Sequence, residues 1–133
     1  MADACIAFSK GELNAEAEYI LEHYVDNSFP DCHSYNIWVD YGIPLENTTF
    51  NRLSFQARFD ASTSHSNGIT TNGSLTEDHP NRKRLTIGST LGLVKKPVKY
   101  EIQLNYQKYF YKKGYAAPDG RNDKVVAELI VLF

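Results

Sequence analysis

Arg52-Leu53-Ser54-Phe55-Gln56-Ala57-Arg58-Phe59-Asp60 changes character at every step. Leu53, Phe55, Ala57 and Phe59 are apolar, and the residues between them are polar or charged. Successive side chains of a strand point to opposite faces, so this stretch predicts a β-strand with one apolar and one polar face. An antiparallel sheet with one packed and one wet face is the natural setting for it.

The same period runs outward in both directions. Upstream, Tyr35, Ile37 and Val39 alternate with Asn36, Trp38 and Asp40, and Tyr41-Gly42-Ile43-Pro44 reads as a turn. Downstream, Arg84 to Leu93 predicts a strand with Leu85 and Ile87 inward. Val98, Tyr100, Ile102, Leu104 and Tyr106 then alternate with Lys99, Glu101, Gln103, Asn105 and Gln107. Residues 61–83 form a polar loop or hairpin, with Asn72-Gly73 supplying hairpin-turn chemistry. Residues 113–123 read as a loop turned by Pro118-Asp119-Gly120. The stretch Lys124–Phe133 is apolar on both faces apart from Glu128, which predicts a central strand covered on both sides.

The N-terminal stretch reads differently. Ser9-Lys10-Gly11-Glu12 has the S-x-x-E form of a capping box. Leu13, Ala17, Ile20, Leu21 and Tyr24 follow at helical spacing, and Phe29-Pro30 would end the element. The spacing predicts a helix over 10–26 whose other faces carry Glu12, Glu16, Glu18, Glu22 and Asp26. The expected fold is mainly β, bordering on α+β: a single domain over 1–133, with one N-terminal helix and a β-sheet region over 34–133. The sheet region is expected to form an antiparallel β-sandwich of about six strands. A single curled sheet wrapped over the helix is the second arrangement.

A chain of 133 residues is long enough to bury a core without a disulfide or metal staple. Its two cysteines, Cys5 and Cys32, are expected to be free thiols. No apolar run approaches the ~20 residues of a helical membrane span, and no leader-like segment opens the chain, so a cytoplasmic or otherwise soluble protein is expected. The formal net charge is −2, but residues 1–66 hold ten acids against three bases and residues 67–133 eleven bases against six acids. Such a split points to a charged surface with a partner, or to subunits that meet acidic face to basic face in a homo-oligomer.

Two groups of residues suit a ligand. Lys108-Tyr109-Phe110-Tyr111-Lys112-Lys113-Gly114-Tyr115, with Arg121 beyond the loop, interleaves aromatic faces with positive charge. Anionic glycans, lipid headgroups or phosphate backbones fit such a surface. Trp38 lies between Asn36 and Asp40, an arrangement that stacks on a sugar ring and hydrogen-bonds its hydroxyls. Arg82-Lys83-Arg84, with Lys95, Lys96 and Lys99, reads as solvated loop charge, and a sequence pI near 6.1 argues against a dedicated nucleic-acid binder. His65 and His79 with Asp60 and Asp78 are the nearest approach to a metal set, and no zinc spacing, nucleophile elbow or phosphate-binding glycine loop is present, so no metal or cofactor is expected. The expected function is therefore a non-enzymatic binding protein for carbohydrate or another polar extended ligand. The alternatives are a self-assembling structural subunit and, third, a small enzyme with a scattered site.

Overall fold

The computed structural model describes residues 1–25, 29–46, 49–66, 70–72, 74–75, 81–95, 98–111 and 122–132. Nine strands follow one another: β1 (Ala2–Lys10), β2 (Leu13–Glu22), β3 (Cys32–Pro44), β4 (Phe50–Ser62), β5 (Thr70–Thr71), β6 (Ser74–Leu75), β7 (Arg82–Lys95), β8 (Val98–Tyr111) and β9 (Lys124–Leu132). Seven of them make one antiparallel sheet in the order β1-β2-β3-β4-β7-β8-β9. Each long strand pairs with the next along the chain, an up-and-down meander. The short β5–β6 hairpin stands apart, with Asn72 at φ 54° in its turn.

The expected mainly-β fold is present; the expected helix over 10–26 is not. Residues 10–22 belong instead to the β1–β2 hairpin, turned at Gly11 with φ 60°. Leu13, Ala17 and Leu21, which belong to the helical stripe, also lie on one face of a strand, where Ala15 and Tyr19 join them. The sequence is therefore coded for both periods, and pairing to β3 from Leu13↔Tyr41 to Glu22↔Cys32 selects the strand. Ser9 caps nothing; its hydroxyl donates to Asn14 Oδ1 at 2.7 Å across the hairpin.

No second layer covers the sheet among the described residues, so the sandwich is replaced by a single sheet. Tyr41 to Pro44 continue β3 rather than turning it, and β9 lies at an edge rather than in the centre. The Arg82-Lys83-Arg84 run opens β7 instead of sitting in a loop. Asp78 and His79 lie outside the described residues.

Register divides the side chains cleanly. One row of partners runs Ile37–Phe59–Leu85, the next Val39–Ala57–Ile87–Tyr106–Val125, and another Ile43–Leu53–Leu91–Ile102–Leu129. These rows make one apolar face. The opposite face carries Asp40–Gln56–Gly88–Asn105 and its neighbouring rows, which are largely polar.

Burial is inverted relative to a sheet that packs on a core. On the apolar face Ile37, Phe55, Leu104 and Leu129 are 52, 51, 53 and 66% exposed. On the polar face Asp40, Ser54 and Asn105 are 8, 7 and 8% exposed. Among the described residues no large side chain is fully buried, and Cys32 is the one buried apolar residue. A single sheet covers one face with its own side chains when it curls toward that face. Here it curls toward the polar one.

Polar side chains lie flat across that concave face. Gln56 Nε2 donates to Asn105 Oδ1 at 2.7 Å, passing over Gly88 from β4 to β8. A Cβ on Gly88 would collide with Asn105 Oδ1 and approach the Leu104 carbonyl to 2.7 Å, so the glycine makes room for this bond. Arg52 Nη2 donates to Asp40 Oδ2 at 2.8 Å between β4 and β3.

The strands are also staggered. Lys10, the last residue of β1, falls in register through Leu13 and Tyr41 with Phe55 in the middle of β4. Val125, near the start of β9, falls in register through Tyr106 with Ile87 in the middle of β7. Offset of this kind accompanies strands that tilt against the axis of a closed or curling sheet.

Candidate functional site on the polar face

Five strands place one row of functional side chains in a line. Glu18 on β2, Asn36 on β3, Asp60 on β4, Arg84 on β7 and Tyr109 on β8 are consecutive partners in register. Beside them runs the row Ile20–Ser34–Ser62–Arg82–Tyr111, and on the other side Glu16–Trp38–Arg58–Thr86–Gln107. The curl of the sheet turns this region into an open basin of about 420 Å³ lined by Glu18, Ser34, Asn36, Arg58, Asp60, Arg82, Arg84 and Tyr109.

Asp60 is its electrostatic centre. Arg58 donates from Nε to Oδ1 at 2.8 Å and from Nη2 to the same oxygen at 2.8 Å. Arg84 donates from Nε to Oδ2 at 2.9 Å and from Nη2 to the same oxygen at 2.9 Å. Two guanidinium groups thus share one carboxylate, and Arg82 joins them in the wall. Each guanidinium has five donors, so one carboxylate does not satisfy the pair. Three arginines face two carboxylates in the basin, leaving it positive. On the β3 side Asn36 Oδ1 is buried without a hydrogen-bond partner among the described residues. On the β8 side the Tyr109 and Tyr111 rings stack at 6.3 Å with 5° between their planes, and the Tyr109 hydroxyl donates to Gln107 Oε1 at 3.1 Å.

The residues singled out in the sequence are brought together in part. Asn36, Trp38, Asp40, Tyr109 and Tyr111 all stand on the polar face, and Asn36 and Tyr109 line the basin. Trp38 stands one row away, between Glu16 and Arg58. Asp40 is engaged by Arg52. Lys108 is on the opposite face, 5.8 Å from the Phe110 ring centre and 3.5 Å from Asp123. Lys112, Lys113, Tyr115 and Arg121 lie outside the described residues. Asp123, ahead of β9, also accepts the Tyr109 backbone N–H at 2.9 Å, and that bond holds its carboxyl below the usual carboxylate range.

Sequence reading passed over Arg58, took Arg82 and Arg84 as loop charge, and weighed Asp60 only in a metal set with His65, His79 and Asp78. The signal was there in the spacing. Arg58-x-Asp60 and Arg82-x-Arg84 each put two charges on one face of a strand, whereas a loop reading scatters them. The charge asymmetry also becomes spatial: Glu16, Glu18 and Glu22 lie on the polar face of β2, and Arg82 and Arg84 lie two strands beyond β3 on the same face.

Cys5 and Cys32 are both free, Cys5 exposed and Cys32 buried. Among the described residues no group of three or more His, Cys, Asp or Glu gathers at metal-binding separation, and no helix is long and apolar enough to cross a membrane. Comparison with known protein families, curated proteins and solved structures finds no match.

Proposed function

We propose that the chain forms part of the wall of a membrane-spanning β-barrel, its apolar face against lipid and its polar face lining a water-filled lumen where polar solutes bind. The observation that carries this reading is the inverted burial. In water, an exposed apolar face running over seven strands is costly, and patches of more than a few hundred Å² mark a partner or a membrane. In a bilayer the same face is the favourable one, and alternation of apolar-out with polar-in is the pattern of barrel strands.

Several features of the apolar face support lipid as its partner. The long strands have nine to fourteen residues, and a tilted strand needs roughly 9–11 to cross the hydrocarbon. Tyr19, Tyr35 and Phe110 share the row at one border, and Phe50 and Tyr100 share the row at the other. On β8, Tyr100 and Phe110 are ten residues apart, roughly 33 Å along the strand and about 25 Å across a membrane at a typical tilt. That is the height of a lipid-facing band between aromatic girdles. The rows between hold Ile37, Val39, Phe55, Ala57, Phe59, Ile87, Leu91, Ile102 and Leu104. Lys10 ends β1 in register with the middle of β4, whereas Lys83 lies in the border row with Phe110 and Lys108 one row in from it, reaching toward Asp123 before β9. Long basic side chains near a border extend to the headgroups.

Backbone edges cannot face lipid, so β1 and β9 need partners outside this sheet. Seven alternating strands leave β1 and β9 running in the same direction, so an antiparallel ring closes with an odd number of further strands between them. This reading departs from the expected soluble protein because alternating strands cross a membrane without any long apolar run. It keeps the expected binding role and assigns it to the concave face.

The test is flotation of the full chain, refolded with phosphatidylcholine vesicles, through a density gradient after an alkaline wash. Co-flotation of protein with lipid is the expected result. Protein that stays in the aqueous fraction as a discrete oligomer, by light scattering, would instead mean that a second copy covers the apolar face, and the membrane reading falls.

A further inference from the structure

We propose that the basin around Asp60 binds an acidic sugar, its carboxylate held by Arg84 and Arg58 and its hydroxyls by Asn36. This rests on the polar face being open to solutes, as the lumen reading above requires. Planar guanidinium forks match a carboxylate in a two-point geometry, and two of them converge here on one carboxylate that the protein itself supplies. Asp60 acts as an internal stand-in: it keeps both forks aimed into the basin while leaving donors on each for a second anion. The unpartnered Asn36 Oδ1 on the same row offers an acceptor to a hydroxyl donor. Inorganic phosphate carries its hydroxyl on the charged centre itself and has no ring face for the tyrosine, and a neutral sugar brings no charge for the arginines. The Tyr109 ring gives the wall an aromatic surface suited to a pyranose face. A volume near 420 Å³ suits one or two sugar units rather than a bulky lipid or polymer cross-section.

Isothermal titration calorimetry of the full chain in detergent micelles tests this with glucuronate, glucose and inorganic phosphate. Glucuronate is expected to bind, and more tightly than either of the others. Arg84→Gln should weaken glucuronate roughly 10- to 100-fold, the scale of one charge-assisted hydrogen bond to a buried partner. Asp60→Asn should tighten it, because the competing carboxylate is gone. Asn36→Leu should bring glucuronate down to the level of phosphate. Equal binding of glucose would overturn the role of the arginines, and equal binding of phosphate to the unaltered chain would overturn the sugar assignment. Opposite signs for Arg84→Gln and Asp60→Asn separate a site effect from misfolding; two variants that both weaken binding, or both leave it unchanged, contradict the proposal. Chain that floats with vesicles but ignores glucuronate removes this site and leaves the membrane reading intact. Chain that binds glucuronate but does not float does the reverse.

Discussion

Ile87→Arg should destabilise the lipid-inserted protein by roughly 2–4 kcal/mol, the cost of a cation on the lipid face near the bilayer midplane. Ile87 sits in the middle of β7, 49% exposed, with Ala57 and Tyr106 as its partners in register. The same change on a water-facing surface would shift stability by no more than about 0.5 kcal/mol, because an exposed arginine is well solvated. The expected size of the effect therefore distinguishes lipid from water as the neighbour of this face. The native sequence already places Lys83 on the same strand and face, four residues toward the border. Moving the arginine from position 87 to position 85 should accordingly cost less, and the gradient can be followed by denaturant titration of the protein in lipid. A flat response along β7 would argue against a membrane.

Gly88→Ala should cost about 3 kcal/mol for a different reason. The added methyl falls on Asn105 Oδ1 and lies 2.7 Å from the backbone carbonyl of Leu104. The carboxamide must leave, which breaks its bond with Gln56 and strands polar groups on a covered face. Backbone must also shift, which adds the penalty of overpacking. Asn105→Ala in the same chain should recover part of the loss, since the side-chain collision disappears while the carbonyl contact stays. Urea midpoints of the two single variants and the double variant measure this coupling. Additive losses would show that the Gln56–Asn105 bond contributes nothing at this crossing.

These two results probe the two faces that the sequence announces without ranking. Leu53, Phe55, Ala57 and Phe59 state plainly that β4 has an apolar and a polar side. Alternation is the same whether the apolar side meets a protein core or lipid, because both solvents are apolar. What decides is whether a second layer exists, and no local pattern encodes that. The strand Lys124–Leu132 shows the problem in miniature: its two apolar faces fit a buried centre equally well as an edge awaiting a neighbour outside this sheet.

The N-terminal hairpin was illegible for another reason. Leu13, Ala17 and Leu21 satisfy periods of two and of nearly four at once, and Ser9 with Glu12 imitates a helix cap. Only the long-range partner β3, with Tyr35, Ile37 and Val39 facing the same way, breaks the tie. The site was legible in its parts. Asn36, Trp38 and Tyr109 were identifiable as polar-face residues with recognition chemistry. Their assembly with Arg58, Asp60 and Arg84 depends on the register of five strands, and a one-residue slip in any of them would send its member to the apolar face.

Trp38 is the only tryptophan in the chain and stands on the polar face, which makes it a direct reporter of which face meets lipid. The decisive measurement is its fluorescence in vesicles of acyl-brominated phosphatidylcholine, beside a Trp38→Phe, Ile87→Trp chain that moves the indole to the apolar face. Trp38 is expected to be quenched weakly by bromolipid and readily by aqueous acrylamide, with the order reversed for the indole at position 87. Bromolipid that fails to reach position 87, or that quenches both positions alike, would contradict the membrane reading.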